Sequence, residues 1–222
     1  MYLDFSGTFA RSGQFVEAAF FTIQLSAIAT VLGMLIGILG AAMKTSRNPF
    51  LYAPTAAYVE IIRNTPFLVQ VYVIYFGLPS VGIRIDALTA GILSLTLYAG
   101  AYITEIMRAG INTVDRGQIE AARSLGLSPY QTFRNVILVP ALAAIFPALT
   151  SQFILIMLAS SVVSVISVPE LTGTANDIQG NTFRSLEAFL VVAVIYLALT
   201  AAFKAIYAVI DRMLFTYRYV GR

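Results

Sequence analysis

The chain has 222 residues, of which 59% are hydrophobic and only 11% charged, and its mean hydropathy is +0.82. A soluble globular domain carries about 25% charged residues, so this composition excludes soluble enzymes and disordered proteins and indicates an integral membrane protein. The sequence contains no Cys and no His, which excludes disulfides, thiol nucleophiles, His-based acid–base catalysis and nearly all structural zinc sites. The net charge of +3 is small and the basic residues lie between apolar segments, so nucleic acid is not an expected partner.

Five apolar segments are long enough to cross a lipid bilayer, which requires about 20 helical residues. In chain order they lie near residues 18–43, 53–78, 87–109, 138–166 and 187–210. The sequence therefore predicts an all-α integral membrane protein with five transmembrane helices in a single domain over residues 1–222. We expect a loop from Gly173 to Arg184 between the fourth and fifth segments.

The basic residues predict the orientation of these segments. If the loops alternate between the two sides of the membrane, one side receives Lys44, Arg47, Arg108, Arg116, Arg123, Arg134, Arg212, Arg218 and Arg222, and the other receives Arg11, Arg84 and Arg184. Cytoplasmic loops carry an excess of Lys and Arg. The N-terminus is therefore predicted outside and the C-terminus in the cytoplasm.

The first segment contains a Gly-x-x-x-Gly pattern at Gly33 and Gly37. This pattern lets a neighbouring helix backbone approach closely. The general frequency of glycine in membrane helices is an equally good explanation.

The polar stretch between the third and fourth segments contains start and stop signals for two short helices. Asp115 is a predicted N-cap that forms a capping box with Gln118, and Gly126 is the predicted C-terminal cap of the same helix. A second helix is predicted from residues 128–131, where Ser, Pro and Gln form another capping box, toward Pro140. The loop is therefore expected to be structured.

The first of these helices has the character of a docking element. It is expected to expose Glu120, Ala121 and Ala122 beside Arg123, just before the glycine turn. Small side chains followed by a glycine turn suit a helix that another protein grips. An ordinary amphipathic helix at the membrane interface is the alternative.

The loop resembles the EAA loop of ABC importer permeases. The resemblance rests on residues 117–126 (GQIEAARSLG), on Ser-Pro at 128–129 and on the later Pro140. Residues 60–70 (EIIRNTPFLVQ) and 160–171 (SSVVSVISVPEL) resemble the polar amino acid subfamily of these permeases. The similarity covers nearly the whole chain.

This resemblance implies a permease subunit of an ABC importer that takes up polar amino acids across the bacterial inner membrane. The implied partners are a cytoplasmic ABC ATPase dimer, a second permease subunit and an extracytoplasmic substrate-binding protein. The coupling helices lie in a loop over about residues 112–137, and the residues implied to contact the ATPase are Gly117, Glu120, Ala121, Ala122, Arg123 and Gly126. The sequence has no G-x-x-x-x-G-K-[ST] motif, so the chain is expected to be no enzyme and to bind no cofactor, with ATP and Mg held by the partner ATPase.

Polar residues inside the apolar segments are candidates for the substrate pathway. Glu60 and Arg63 lie on one face of the second segment, where an ion pair between them would offset the cost of two charges at the membrane boundary. Pro66 predicts a kink, and the charges beside it suit either a gate or an anchor at the interface. The candidates are Glu60, Arg63, Asn64, Thr65, Gln70, Ser160, Ser161, Ser164 and Glu170.

The serines of the fourth segment recur at three- and four-residue steps, from Ser160 to Ser167, and predict one helix face of hydroxyl groups. Such a face suits the zwitterionic part of an amino acid, although close helix packing is the more common role of a serine. Glu170 is expected at the outer end, where related permeases carry an acidic residue.

One position departs from the related permeases. They usually carry Lys followed by Asp or Asn before the serine pair, whereas this chain has Leu158 and Ala159. If those residues bind substrate in the family, this subunit lacks a complete site, which favours a heterodimeric permease.

A gradient-driven secondary transporter or channel subunit is the alternative function. Such proteins usually place a carboxylate near the bilayer midplane or show an inverted repeat. Here the deep parts of the segments carry no carboxylate, and five segments do not divide into equal halves. An intramembrane enzyme is a third class, and the sequence lacks the residues that it would need.

Overall fold

The computed structural model describes residues 3–215, and all regular structure in that range is helical. Arg218 and Arg222, which contributed to the predicted orientation, lie outside the described residues. Five helices precede the polar loop: α1 (Ser6–Phe9), α2 (Ser12–Lys44), α3 (Pro49–Arg63), α4 (Phe67–Ser80) and α5 (Ala87–Ile111). The loop and the remaining chain form α6 (Arg116–Ser124), α7 (Pro129–Thr132), α8 (Val139–Ala159), α9 (Leu171–Thr182) and α10 (Ser185–Leu214).

Four helical stretches within the described range are long and apolar enough to cross a membrane: α2, α5, Pro140–Ile166 and α10. The predicted second span is not one kinked helix. It consists of α3 and α4, which meet at an angle of 111°, because Pro66 has no N–H and the residue before a proline avoids helical dihedrals. The bundle therefore has four spans, or five if this bent pair counts as one.

Helices α2 and α5 form the centre of the bundle through a seam of small residues. Gly33 lies against Ala99, Gly37 against Ile103 and Gly40 against Thr104. A Cβ atom added at any of these glycines would overlap its neighbour on α5. The close approach predicted from the Gly-x-x-x-Gly pattern is confirmed, and the seam extends one step further, to Gly40.

The predicted loop from Gly173 to Arg184 is wrong, because most of this segment forms α9. Its polar composition conceals a helix that is too short to span a membrane. Glu170 caps its first turn by accepting a hydrogen bond from the Gly173 N–H, and the helix ends at Phe183, whose φ is +56°.

Helix α10 packs at the edge of the bundle, mainly on α9 and to a lesser extent on α8. Its inner face joins a cluster that includes Phe15 and Leu171. On the opposite face Val194 and Leu197 are 65% and 70% exposed. Such an apolar surface is suited to contact with lipid.

Candidate coupling loop and transport pathway

Helix α6 starts at a side-chain cap. The Asp115 Oδ1 atom accepts a hydrogen bond from the Gly117 N–H at 2.6 Å, which satisfies one of the free N–H groups of the first turn. The predicted capping box with Gln118 is wrong. The Asp115 carboxylate bonds to the second residue of the helix, and the cap consists of this bond.

The end of α6 is a Schellman motif. The Gly126 N–H donates to the Arg123 carbonyl at 2.9 Å and the Leu127 N–H donates to the Ala122 carbonyl at 3.1 Å. Gly126 has a φ of +77°, a conformation that glycine adopts without a steric penalty. The predicted C-terminal cap is confirmed.

The exposed surface of α6 differs from the prediction at one residue. Glu120, Ala121 and Arg123 are exposed, whereas Ala122 is buried on the opposite face of α6. Leu125, which the sequence prediction missed, is 82% exposed at the end of the helix. The available signal was a large apolar residue directly before the glycine cap.

The second helix of the loop connects rigidly to a membrane span. Ser128 and Gln131 form the predicted capping box. The Gln131 N–H donates to the Ser128 hydroxyl at 3.3 Å, and the Ser128 N–H donates to the Gln131 side-chain oxygen at 2.9 Å. From there α7 continues through a π-helical segment, Phe133–Leu138, into α8 without a break. A force on the loop is therefore transmitted along a continuous helix.

The predicted ion pair between Glu60 and Arg63 is wrong. The Glu60 carboxylate accepts a hydrogen bond from the Asn64 side chain at 2.8 Å. The Arg63 guanidinium lies over the Tyr102 ring at 5.3 Å and its Nη1 atom is 3.8 Å from Glu105. Spacing along one helix could not predict the partners of Arg63, because they are on α5.

Glu105 is the centre of a charge cluster that the sequence prediction missed. Lys44 Nζ lies 2.6 Å and Arg108 Nη2 3.0 Å from its carboxylate, and Arg63 is the third cation. The cluster joins the ends of α2, α3 and α5 next to the polar loop. Charges at the end of the third segment were visible in the sequence, but their partners were not.

Gln70 lies in the first turn of α4, just after the break that separates it from α3. It is 8% exposed, and its Nε2 atom donates to the Ile62 carbonyl at 2.7 Å and to the Thr65 carbonyl and hydroxyl at 3.0 and 2.9 Å. The bond to the Ile62 carbonyl replaces the helical donor that Pro66, which has no N–H, cannot provide. Thr65 in turn donates to the Ile61 carbonyl, so this network holds the bend.

The serine face of the fourth segment forms only in part. Residues Ser160–Ile166 form a 3₁₀ helix, in which side chains three residues apart align. Ser161 and Ser164 therefore share a partly exposed face, whereas Ser160 is fully buried on another. All three hydroxyls donate to backbone carbonyls at 2.7 Å.

Glu170 is fully buried in the turn after this segment. Its carboxylate accepts hydrogen bonds from the Gly173 N–H and from the Tyr196 hydroxyl, both at 2.7 Å. Burial raises the pKa of Glu170 above the ordinary value of a glutamate, because desolvation disfavours its charged form. The residue ties the start of α9 to α10.

Two cavities that include charged side chains in their linings lie near opposite ends of α2. One, of about 670 Å³, is lined by Arg11, Glu17 and Asp177 among others. The other, of about 490 Å³, lies beside Glu105 and includes Gln152 in its lining. Among the described residues no group of three or more Asp or Glu side chains is placed to hold a metal ion.

Known proteins are similar to this chain in sequence. Residues 29–216 match the family described as binding-protein-dependent transport system inner membrane component. A glutamine transport system permease protein of Escherichia coli K12 is 35% identical over 96% of this chain and 98% of its own. A probable glutamine ABC transporter permease protein of Bacillus subtilis is 36% identical over 86% of this chain and 89% of its own.

Solved structures show the same helical arrangement. The crystal structure of an amino acid ABC transporter with histidines contains a chain that is 38% identical, with a TM-score of 0.90 over 96% of this chain and 100% of that one. An inward-facing methionine ABC transporter matches with a TM-score of 0.77 at 24% identity, over 92% of this chain and 98% of that one. The second match concerns the fold alone.

Proposed function

Since the chain belongs to the family of binding-protein-dependent transport system inner membrane components, we propose that it forms the substrate pathway of an ATP-driven importer for polar amino acids. Members of this family are permease subunits of the bacterial inner membrane that have no ATPase site or cofactor of their own. They work with an ATPase and a substrate-binding protein. The family match over residues 29–216 is the observation that carries the proposal.

The ATPase docks on α6 in this proposal. Glu120, Ala121 and Arg123 provide an exposed surface on a helix that is capped at both ends. Gly117 and Gly126 belong to those caps, and ATP and Mg are bound by the partner ATPase dimer. Closure of that dimer would move the loop, and α7 would transmit the movement to α8.

We propose that the N-terminus is outside and the C-terminus in the cytoplasm, with residues 1–222 forming one permease domain. This orientation places the coupling loop, over about residues 112–137, on the side of the ATPase. It requires an odd number of spans, so α3 and α4 together cross the membrane once. The excess of basic residues on the loop side supports it.

A second permease chain completes the pathway, and we favour a different chain over a second copy. The support is the pair Leu158 and Ala159, where related permeases carry polar residues. Candidate pathway residues in this chain are Glu60, Arg63, Asn64, Thr65, Gln70, Ser160, Ser161, Ser164 and Glu170. Several relatives are named for glutamine transport, so glutamine is the first substrate to test.

The test is uptake of radiolabelled glutamine by liposomes that contain this chain, its ATPase and its partner permease, with the binding protein outside. We expect uptake that requires ATP in the ATPase compartment and persists when ion gradients are dissipated. Uptake that follows an ion gradient without ATP would overturn the proposal in favour of a secondary transporter. Uptake with this chain as the only permease would overturn the heterodimer.

A further inference from the structure

The lining of the cavity of about 490 Å³ beside Glu105 includes hydrogen-bond donors from three helices. Arg63 and Arg108 contribute to this lining from α3 and α5, and Gln152 contributes from α8. Glu105 is the acidic residue of the lining, and its carboxylate is already engaged by Lys44 and Arg108. Three cationic side chains therefore surround one carboxylate, and the site carries an excess of positive charge.

Arg63 has unused donor capacity. A guanidinium carries five N–H donors, and the contact of Arg63 with Glu105 is 3.8 Å long, which is beyond hydrogen-bond distance. Its side chain is 41% exposed, and that of Arg108 is 34% exposed. The Arg63 guanidinium also lies over the Tyr102 ring, 5.3 Å from its centroid, and this cation–π contact helps to fix its position.

Gln152 provides an independent indication that this cavity binds a hydrogen-bond acceptor. The residue is 5% exposed, and its Nε2 atom has no hydrogen-bond partner among the described residues. A buried amide donor without a partner is costly and uncommon. An acceptor group in the cavity that Gln152 lines would satisfy it.

We propose that Arg63, Arg108 and Gln152 form an oxyanion site that receives the carboxylate of a transported amino acid. Planar guanidinium groups match carboxylate geometry, and an uncharged amide donor completes the set without adding another charge. This inference rests on the proposed function and extends it, because it assigns a chemical group of the substrate to named residues.

The phosphate of a lipid headgroup has similar chemistry, but the surroundings favour a small molecule. On α8 the cavity wall beside Gln152 is formed by Ala144 and Ala148, which provide no groove for acyl chains. The apolar cavity of similar volume at this end, lined by Ile38 and Met107, opens between α2, α5 and α8 instead. The two cavities share only Ile145 in their described linings.

The test measures direct ligand binding to the purified permease–ATPase complex in detergent, without ATP. Saturation-transfer NMR detects the binding. The probes are glutamine, glutaminamide, which lacks the carboxylate, and glycerol phosphate as a headgroup. We expect glutamine to bind and glutaminamide to bind at least about tenfold more weakly, since a hydrogen bond to a charged group contributes that much affinity. The variants Arg63→Gln and Gln152→Glu should each weaken glutamine binding by a similar factor.

Lys204→Gln is the matched control, because it removes one positive charge from α10, away from this cavity, and should leave binding unchanged. Equal binding of glutaminamide, or unchanged binding in Gln152→Glu and Arg63→Gln, would overturn the proposal. Tighter binding of glycerol phosphate that is lost in Arg63→Gln would replace the substrate carboxylate by a lipid headgroup. If one variant fails to fold by thermal melting, the other decides. Binding requires neither ATP nor uptake, so its failure is distinguishable from failure of the proposed function.

Discussion

The backbone conformation at residue 126 favours glycine over residues with a Cβ atom. Gly126 has a φ of +77°, and a residue with a Cβ atom in this region costs about 1–2 kcal/mol. Gly126→Val should disrupt the Schellman motif and reduce the amount of ATPase that co-purifies with the chain. Gly126→Asn should retain most of it, because asparagine tolerates the left-handed conformation. Normal recovery of the ATPase with Gly126→Val would show that the cap is dispensable.

Glu170 should make stability depend on pH. Burial raises its pKa in the folded chain, so the folded state binds more protons than the unfolded state as pH rises above the ordinary carboxyl range, and stability falls. Glu170→Gln keeps an acceptor for the Gly173 N–H and should remove this dependence. The measurement is the thermal midpoint in detergent from about pH 5 to about pH 8.

Two carboxylates whose pKa values shift in the opposite direction provide the comparison for this pH effect. Hydrogen bonds from Ser6 and Thr89 hold the pKa values of Asp4 and Asp86 below the ordinary range. Their contributions to stability are lost as pH falls, outside the window in which Glu170 titrates. Parallel pH profiles for the unaltered chain and Glu170→Gln would contradict the account.

The glycine seam sets the distance between α2 and α5. A Cβ atom at Gly37 would overlap the side chain of Ile103, so Gly37→Ala should lower the thermal midpoint even though alanine favours the helix. Gly13→Ala is the control on the same helix, because a Cβ atom there meets nothing within 4 Å, and it should be neutral or slightly stabilising. Equal effects of the two substitutions would refute close packing as the role of the seam.

Capping signals that lie within a few residues predicted most helix ends of the loop, although the capping box at Asp115 is replaced by one bond to Gly117. The capping box at Ser128 and the glycine cap at Gly126 depend on local geometry alone, and both are present. Helix α9 was missed because a polar segment of its length has the composition of a loop. The 3₁₀ form of Ser160–Ile166 was missed because serine spacing suits both helix types.

Contacts between elements could not be predicted in the same way. Arg63 is near Glu60 in sequence, yet it lies beside Glu105 and Tyr102, because the sharp bend after α3 brings it to α5. Pro66 predicted a disturbance but not an angle of 111°, which also depends on the bonds that Gln70 makes. The cavity donors come from three helices, and spacing within one helix does not show which residues of another helix lie beside it.

At the scale of the whole molecule, the chain belongs to a family of permease subunits that have no ATPase site of their own, and a separate subunit hydrolyses ATP. The excess of exposed apolar surface on α10 and the exposed face of α6 point to different surroundings, lipid for one and a soluble partner for the other. The central claim is that the partner on α6 is an ATPase.

The most direct measurement is to tag the chain, solubilise it gently from its native membrane and quantify the P-loop ATPase that co-purifies. The account predicts near-equal amounts with the unaltered chain, loss with Glu120→Arg, and full recovery with Glu17→Arg, which reverses a charge at the far end of α2 and leaves α6 untouched. Recovery of the chain alone, or with undiminished ATPase in Glu120→Arg, would contradict it.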